Sequence, residues 1–344
     1  MEEHWPVFRE RADETGGLPR FVEQEFEEYL RCGVLEWGCL HLACRSCGHS
    51  QLVALSCKRR GFCPSCLGRR MADSAVHLEQ RVLPAVPVRH WIVSLPWGLR
   101  ALLGYDRVLC AEVVGAFVEE LCLSLRRRAR RFLALRSVAC AHAGAVVAIQ
   151  RTDGAMRLNV HAHVLALDGV YVRDGPEGAL AFRPLPAPTR ADVTGVARRS
   201  AARVERILRA HGRSLERDGQ VEGCDRLSID EPTLAAYYAA AAQGISVAGE
   251  RAGKPTLRLV VSDGPTATRT ADDDEPVAEV RGINVHAKQR VDGRDRAQME
   301  RLCRYITRPP LSQERLTRRA EGRLELELKK VWRDGTRALV LEST

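Results

Sequence analysis

Asn159-Val160-His161-Ala162-His163-Val164-Leu165 reads as a buried strand that carries two histidines. Successive side chains of a strand point to opposite faces, so His161 and His163 share one face and the small apolar side chains share the other. Two imidazoles within an apolar strand need polar partners, since burying unpaired polar groups is costly. The spacing predicts that both histidines bind one divalent cation. Two purely structural histidines are the alternative.

The sequence leaves the identity of the cation and of a third ligand open. Mg²⁺ prefers oxygen ligands, so the histidine pair also allows Mn²⁺, or a mixed site with phosphate oxygens of a substrate. Gln150, on the preceding predicted strand, is the candidate third ligand. It faces His161 if the connecting loop is wide, whereas a tight turn at Asp153-Gly154 would pair it with Arg157, far from both histidines.

A tyrosine lies at the edge of a predicted amphipathic helix. Apolar residues recur at helical spacing before a stop at Pro309-Pro310, and these are Met299, Leu302, Cys303 and Ile306. At about 100° per residue, Tyr305 lies beside this stripe, on the same side as Arg294 and Arg301. Arginines stabilise a phenolate and can hold a phosphodiester for its attack. Tyr305 is the predicted nucleophile. An ordinary half-buried tyrosine is the alternative, and the competing tyrosines are Tyr171, Tyr237 and Tyr238.

Seven of the twelve cysteines lie between Cys32 and Cys66. Cys44-Arg45-Ser46-Cys47 and Cys63-Pro64-Ser65-Cys66 form two Cys-x-x-Cys pairs, and such pairs can supply four thiolates to one tetrahedral zinc ion. The sequence therefore predicts a structural zinc site made by Cys44, Cys47, Cys63 and Cys66. A swapped ligand or a second metal stays open, because the same region contains Cys32, Cys39, Cys57, His41 and His49.

The charge of the chain favours a polyanionic partner. The 344 residues contain 53 basic and 44 acidic residues, which gives a net charge of +9 and a pI near 9.1. DNA-binding candidates lie beside the cysteines and near the tyrosine, and they are Arg59, Arg60, Arg69, Arg70, Arg301 and Arg308. The chain contains no apolar run long enough for a membrane helix, and its acidic start lacks a secretory signal. These features predict a cytoplasmic protein without membrane contact.

The pattern divides the chain near Leu83-Pro84-Ala85-Val86-Pro87, which interrupts a helical stretch. Residues 1–85 are predicted to form a small zinc-binding domain. Residues 86–344 are predicted to form a second domain, with one helix over residues 105–135 and a helical insertion around residues 190–250. The predicted class is α+β.

Several motifs resemble those of the rolling-circle transposases of the insertion sequence 91 family, within the His-hydrophobic-His endonuclease superfamily. The matching stretches are residues 56–66, 91–96, 158–163, 167–171 and 302–310, together with Gln150. The resemblance implies a nuclease core with an antiparallel sheet flanked by helices. It also implies that Tyr305 cuts single-stranded DNA at element ends, forming a 5'-phosphotyrosine link and a 3'-hydroxyl, with Mg²⁺ or Mn²⁺ polarising the scissile phosphate.

Two departures from the family pattern bear on activity. Some members carry two tyrosines four residues apart, but the earlier position is Arg301 here, so the chain resembles the single-tyrosine type. Members often continue through another basic segment where this chain ends at Thr344. The alternative function is therefore a non-catalytic zinc-ribbon protein that binds DNA, or an inactive, truncated transposase remnant.

Overall fold

The computed structural model describes residues 1–173, 178–215, 221–223, 226–247, 249, 251–261, 275–320 and 322–342. These residues form nine α-helices: α1 (Trp5–Asp13), α2 (Arg20–Arg31), α3 (Pro64–His77), α4 (Leu99–Tyr105), α5 (Arg107–Phe132), α6 (Arg190–Ala210), α7 (Arg226–Asp230), α8 (Pro232–Gln243) and α9 (Arg296–Thr307). Within the described part of the chain, no helix is both long enough and apolar enough to cross a membrane.

The same residues form sixteen β-strands: β1 (Cys39–Ala43), β2 (Ser50–Ala54), β3 (Val88–Ser94), β4 (Ala141–His142), β5 (Ala145–Thr152), β6 (Leu158–Leu167), β7 (Gly169–Arg173), β8 (Leu180–Pro184), β9 (Ser214–Leu215), β10 (Val221–Glu222), β11 (Leu257–Val260), β12 (Val277–Val280), β13 (Ile283–Val291), β14 (Leu316–Arg318), β15 (Leu324–Glu327) and β16 (Thr336–Leu341). The mixture of helices with antiparallel sheets confirms the predicted α+β class.

The chain divides into two compact units that are not continuous in sequence. The first unit comprises residues 1–73, 226–264 and 308–344, and the second comprises residues 74–225 and 265–307. This division differs from the predicted boundary at residue 85, because two later segments pack with the N-terminal part of the chain. Domains of 1–85 and 86–344 therefore stay a prediction about sequence modules and do not describe the compact units.

The second unit is built on a five-stranded antiparallel sheet in the order β12-β13-β3-β6-β5. The central strands β3 and β6 are apolar and buried, with Trp91, Val93 and Val164 at most 2% exposed. Helix α4 packs against β6, and α6 packs against β12 and β13. On the face that carries His163, α9 packs against β5 and contributes its apolar stripe to a buried cluster. Helices therefore cover the sheet, and α9 packs on the face that presents His163.

The predicted helix over residues 105–135 is α5, which begins at Arg107 because Asp106 caps it. The Asp106 carboxylate accepts a hydrogen bond from the Leu109 amide at 2.9 Å and satisfies an amide that the first turn would otherwise leave unpaired. The described residues around 190–250 are largely helical, as predicted, and their description as an insertion stays a prediction. Helix α6 buries Val193, Val196 and other apolar residues against α5 and the sheet, so it belongs to the core of the second unit. Helices α7 and α8 belong to the first unit.

A buried ion pair links β3 and β13 of the central sheet to Asp168, the residue between β6 and β7. Arg89 on β3 donates to both carboxylate oxygens of Asp168, at 2.8 and 2.9 Å, and also to the Ala287 carbonyl on β13. Arg290 on β13 donates to the same carboxylate at 3.1 Å. Arg89 and Asp168 are about 5% and 4% exposed, so neither charge can turn to water.

We expect Asp168→Ala to lower the free energy of unfolding by about 3–5 kcal/mol, because it leaves the Arg89 guanidinium buried without its counter-charge. Denaturant unfolding of the purified chain measures this loss. Glu300→Ala is the matched control, since it removes the exposed Arg304 pair within α9 and should cost at most about 1 kcal/mol. Equal losses for both variants would contradict the account of the buried pair.

The first unit combines a hairpin, an aromatic cluster and a second sheet. Strands β1 and β2 pair antiparallel, and the sheet β11-β16-β15-β14 forms from later segments of the chain. Trp5 stacks on Phe26 at 4.3 Å between ring centroids, and Phe62 packs on both Phe26 and Tyr29. These ring contacts hold α1 and α2 against the segment that leads into α3. They therefore position the cysteines at the end of α2 and at the start of α3.

Candidate active site and zinc site

The two histidines of β6 lie on one face of the central sheet, as the alternation predicts. The His161 and His163 ring centroids are 5.1 Å apart. His163 is 2% exposed, whereas His161 is half-buried toward the start of the strand. Across the sheet, Ser94 lies opposite His161 and Ile92 lies opposite His163. The pair is therefore anchored in the middle of a sheet, where backbone pairing fixes its position.

Gln150 joins this face because the β5–β6 connection is wide. The register pairs Gln150 with His161, and Thr152 with Leu158 after a bulge, so the wide-loop alternative is the one the structure adopts. The Gln150 side-chain amide donates to the carbonyl oxygen of Ile306 at 3.0 Å and lies 3.4 Å from that of Tyr305. Gln150 therefore ties the last turn of α9 to the strand beside His161, and its carboxamide oxygen is the atom that could bind a cation.

Tyr305 lies against the histidines. Its ring packs edge-on against His163 at 5.4 Å between centroids, and against His90 at 6.0 Å. The predicted stripe on α9 is buried, which presses the helix onto the sheet and leaves Tyr305 at its edge, 40% exposed. The helical spacing of α9 therefore places Tyr305 beside His161 and His163, which lie more than 140 positions earlier in the sequence.

Sequence reasoning missed two residues on this face, His90 and Gln289. His90 on β3 lies 2.9 Å from His163, between Nε2 of His90 and Nδ1 of His163. Its Nδ1 lies 3.1 Å from the Gln289 carboxamide oxygen on β13. Burial lowers the pKa of His90, although the Gln289 hydrogen bond raises it. A histidine within the largely apolar stretch of residues 88–94 was the available signal.

The ring orientation of His161 suits a metal ligand. Its Nδ1 lies 2.7 Å from the Asn159 carbonyl oxygen, which can only accept a hydrogen bond, so Nδ1 carries the hydrogen. Nε2 then keeps its lone pair. Metal-binding histidines typically engage the second ring nitrogen with a carbonyl or carboxylate in this way. The histidine pair, with the Gln150 oxygen beside it, therefore fits a divalent cation.

Four cysteines of the first unit converge, but they are not the four predicted ones. The Sγ atoms of Cys32, Cys57, Cys63 and Cys66 all lie within 4.8 Å of one another. Three of the Sγ–Sγ distances are 3.5, 3.6 and 3.7 Å. A tetrahedron with Zn–S bonds of about 2.3 Å has edges of about 3.8 Å, so the arrangement fits a structural zinc ion. All four cysteines are free of disulfides.

The predicted ligands Cys44 and Cys47 lie elsewhere. They form the turn between β1 and β2, where the Cys44 amide donates to the His49 carbonyl at 2.8 Å, and both cysteines are exposed. The spacing rule failed because the first Cys-x-x-Cys pair closes its own hairpin, while the end of α2 brings Cys32 to the second pair. Hydrogen bonds from the Ser46 side chain and from the Cys47 and Ser46 backbone lower the pKa of the Cys44 thiol to about 6.

The predicted DNA-binding arginines lie in both units. Arg60, Arg69, Arg70 and Arg301 are exposed, and Arg59 lies 3.7 Å from Glu28. In the first unit, Arg308 lines a cavity of about 840 Å³ with Arg315, Lys329 and two of the clustered cysteines. Burial and then the Arg308 charge lower the pKa of Arg315 and of Lys329. The cavity is also lined by Glu2 and Glu314, so its charge is mixed and it carries no assignment of a ligand.

Comparison with known proteins identifies the class of this chain. Residues 1–95 match a family model described as the transposase zinc-binding domain (Zn_Tnp_IS91), and residues 144–344 match the transposase family model Y2_Tnp. A stretch of 120 residues, 34% of the chain, is 30% identical to the transposase for insertion sequence element IS801 of Pseudomonas savastanoi pv. phaseolicola. That stretch covers 29% of the relative's length. No solved structure matches the chain. The chain belongs to the insertion sequence 91 family of transposases.

Proposed function

We propose that this protein is a transposase of the rolling-circle type, which nicks and rejoins single-stranded DNA. Tyr305 is the only nucleophilic tyrosine in this proposal. The observation that carries the proposal is the edge-on packing of the Tyr305 ring on His163 and His90, on the sheet face that also presents His161. A phosphate bound at the histidines would lie within reach of the Tyr305 hydroxyl. Arg301, at the position of a second tyrosine in some relatives, leaves α9 with one phenol at this site.

The proposed reaction is a displacement at phosphorus. The Tyr305 oxygen, after losing its proton, attacks the scissile phosphate, and the bond from phosphorus to the 3'-oxygen breaks. The departing oxygen takes a proton and becomes a 3'-hydroxyl, while the 5'-phosphate stays on Tyr305. Rejoining is the reverse, with a 3'-hydroxyl attacking the phosphotyrosine. One bond to phosphorus is exchanged for another in each direction, so the reaction needs no nucleotide cofactor.

His161, His163 and Gln150 are the proposed residues for a divalent cation, Mg²⁺ or Mn²⁺. When bound, such a cation would polarise the scissile phosphate and offset its charge. Gln150 has a second task, because its amide holds the Tyr305–Ile306 backbone and thereby keeps the nucleophile beside the histidines. The first unit, which contains the cysteine cluster and exposed arginines, is proposed to hold flanking DNA through phosphate contacts.

The test uses the full chain and single-stranded oligonucleotides that tile both ends of the element encoding it. We expect a protein–DNA product that survives denaturing electrophoresis in Mg²⁺ or Mn²⁺, disappears with EDTA and returns when the metal is restored. Duplex oligonucleotides of the same sequence are the matched control and should give at least about tenfold less product, because a paired strand resists distortion at the site. DNA binding without any covalent product would favour the non-catalytic zinc protein instead.

A further inference from the structure

We propose that His90 is a positioning residue for the metal site: with Gln289, it fixes the tautomer of His163 so that Nε2 of His163 faces the cation with its lone pair. This inference rests on the proposed metal-dependent function. It concerns an interaction inside the protein, however, and that interaction can be measured without metal or DNA.

Three strands position a hydrogen-bond relay, which is the chain of side chains Gln289–His90–His163. His90 on β3 pairs in register with Gln289 on β13, and lies diagonally across from His163 on β6. The two links are 3.1 Å from Gln289 Oε1 to His90 Nδ1, and 2.9 Å from His90 Nε2 to His163 Nδ1. Both distances lie in the range of N–H hydrogen bonds. His90 is 3% and His163 is 2% exposed, so bulk water does not compete for these nitrogens.

The Gln289 carboxamide oxygen, at one end of the relay, decides which nitrogen donates the hydrogen in each link. A carboxamide oxygen only accepts, so Nδ1 of His90 must donate to Gln289. A neutral imidazole carries one hydrogen, and Nε2 of His90 is then an acceptor. Nδ1 of His163 must therefore donate to His90, which leaves the lone pair of His163 on Nε2.

His161 reaches the same tautomer by a local route. Its Nδ1 donates to the carbonyl of Asn159, two residues earlier on its own strand. His163 has its Nδ1 on a side-chain nitrogen instead, and an imidazole nitrogen can either donate or accept. The Gln289 oxygen removes this ambiguity. His161 and His163 thus reach the same tautomer in different ways. The tautomer of His163 depends on His90 and Gln289, which lie 73 and 126 positions away.

A merely structural role for His90 predicts a different pattern of variant effects. His90→Phe keeps a ring between Tyr305 and the sheet but removes the acceptor for His163. His90→Gln keeps an acceptor oxygen at a similar reach. If His90 only fills space, the phenylalanine is the better replacement. If His90 positions His163, the glutamine is better.

The experiment is a two-bond ¹H–¹⁵N spectrum of the metal-free full chain at pH 7.5, with ¹⁵N-labelled histidine and assignment by His163→Gln. We expect wild-type His163 to carry its hydrogen on Nδ1, and His90→Phe to shift it toward Nε2. Titration with Mn²⁺ should show affinity lowered about 10–100-fold in His90→Phe and restored to within about threefold of wild type in His90→Gln. Exposed His142→Phe is the matched control and should change neither quantity.

Two results would overturn the relay: a wild-type His163 that carries its hydrogen on Nε2, or a His90→Phe chain with unchanged tautomer and unchanged Mn²⁺ affinity. Should His90→Phe fail to fold, Gln289→Leu at an exposed position removes the end group and must loosen the His163 tautomer in the same direction. A correct tautomer and normal Mn²⁺ affinity without DNA nicking would refute the proposed function and leave the relay standing.

Discussion

Tyr305→Phe is expected to abolish the covalent protein–DNA product, with a loss of at least about 10³-fold, while DNA binding stays within about twofold of wild type. The substitution removes one oxygen. The phenyl ring can keep the edge-on contacts with His163 and His90, and Gln150 contacts only backbone carbonyls of this turn. The fold and the metal ligands should therefore be unchanged, so the loss isolates the nucleophile. Quantitative electrophoresis of labelled DNA measures the product.

Tyr171→Phe is the matched control for this result. Tyr171 belongs to the same unit, is half-buried and packs on Phe182 at 5.4 Å, but it lies on another sheet. Its loss of a hydroxyl should leave the amount of product unchanged. If Tyr305→Phe formed as much product as wild type, Tyr305 would be excluded as the nucleophile.

Cys57→Ser is expected to remove the zinc ion and to destabilise the first unit severely. Zinc binding to thiolate sites of this kind is worth about 10–16 kcal/mol, so the loss of one ligand forfeits a large part of the stability that the ion supplies. Cys47→Ser is the matched control at the exposed hairpin turn and should keep one zinc ion per chain. Elemental analysis after gel filtration, with thermal unfolding, measures both effects. Zinc retained by Cys57→Ser and lost by Cys47→Ser would restore the ligand set expected from spacing.

Thiol alkylation gives an independent reading of the same ligand set. With a pKa of about 6, Cys44 is mostly thiolate at pH 7 and should react with iodoacetamide without a chelator. Its rate should fall as the pH drops through 6, because the thiol becomes protonated. The four clustered cysteines should react only after zinc is removed. Protection of Cys44 by zinc would contradict the assignment.

The parts of the site that follow local periodicity could be predicted from the sequence. His161 and His163 share a face because strand side chains alternate, and Tyr305 lies at the edge of α9 because helical spacing puts the buried stripe next to it. Gln150 required one further fact, the width of the β5–β6 loop. The sequence left that register open, and the bulge before Thr152 decides it.

The parts that depend on distant pairing could not be predicted in this way. His90 reaches His163 only because β3 and β6 are neighbours, and Gln289 reaches His90 across 199 positions. The predicted set of zinc ligands differs from the observed cysteine cluster for a related reason. Spacing treats a Cys-x-x-Cys pair as half of a site, but Cys32 joins the cluster through the packing of α2, which the spacing of cysteines does not encode.

Mass spectrometry of the covalent product identifies the residue that carries the DNA. Wild-type chain is trapped on single-stranded element-end DNA, then digested with nuclease and with trypsin, which does not cut before proline. Because Tyr305 is the proposed nucleophile, we expect a nucleotide phosphate attached to Tyr305 on the peptide of residues 305–315. The same modification on a peptide that contains Tyr171, Tyr237 or Tyr238 would contradict it.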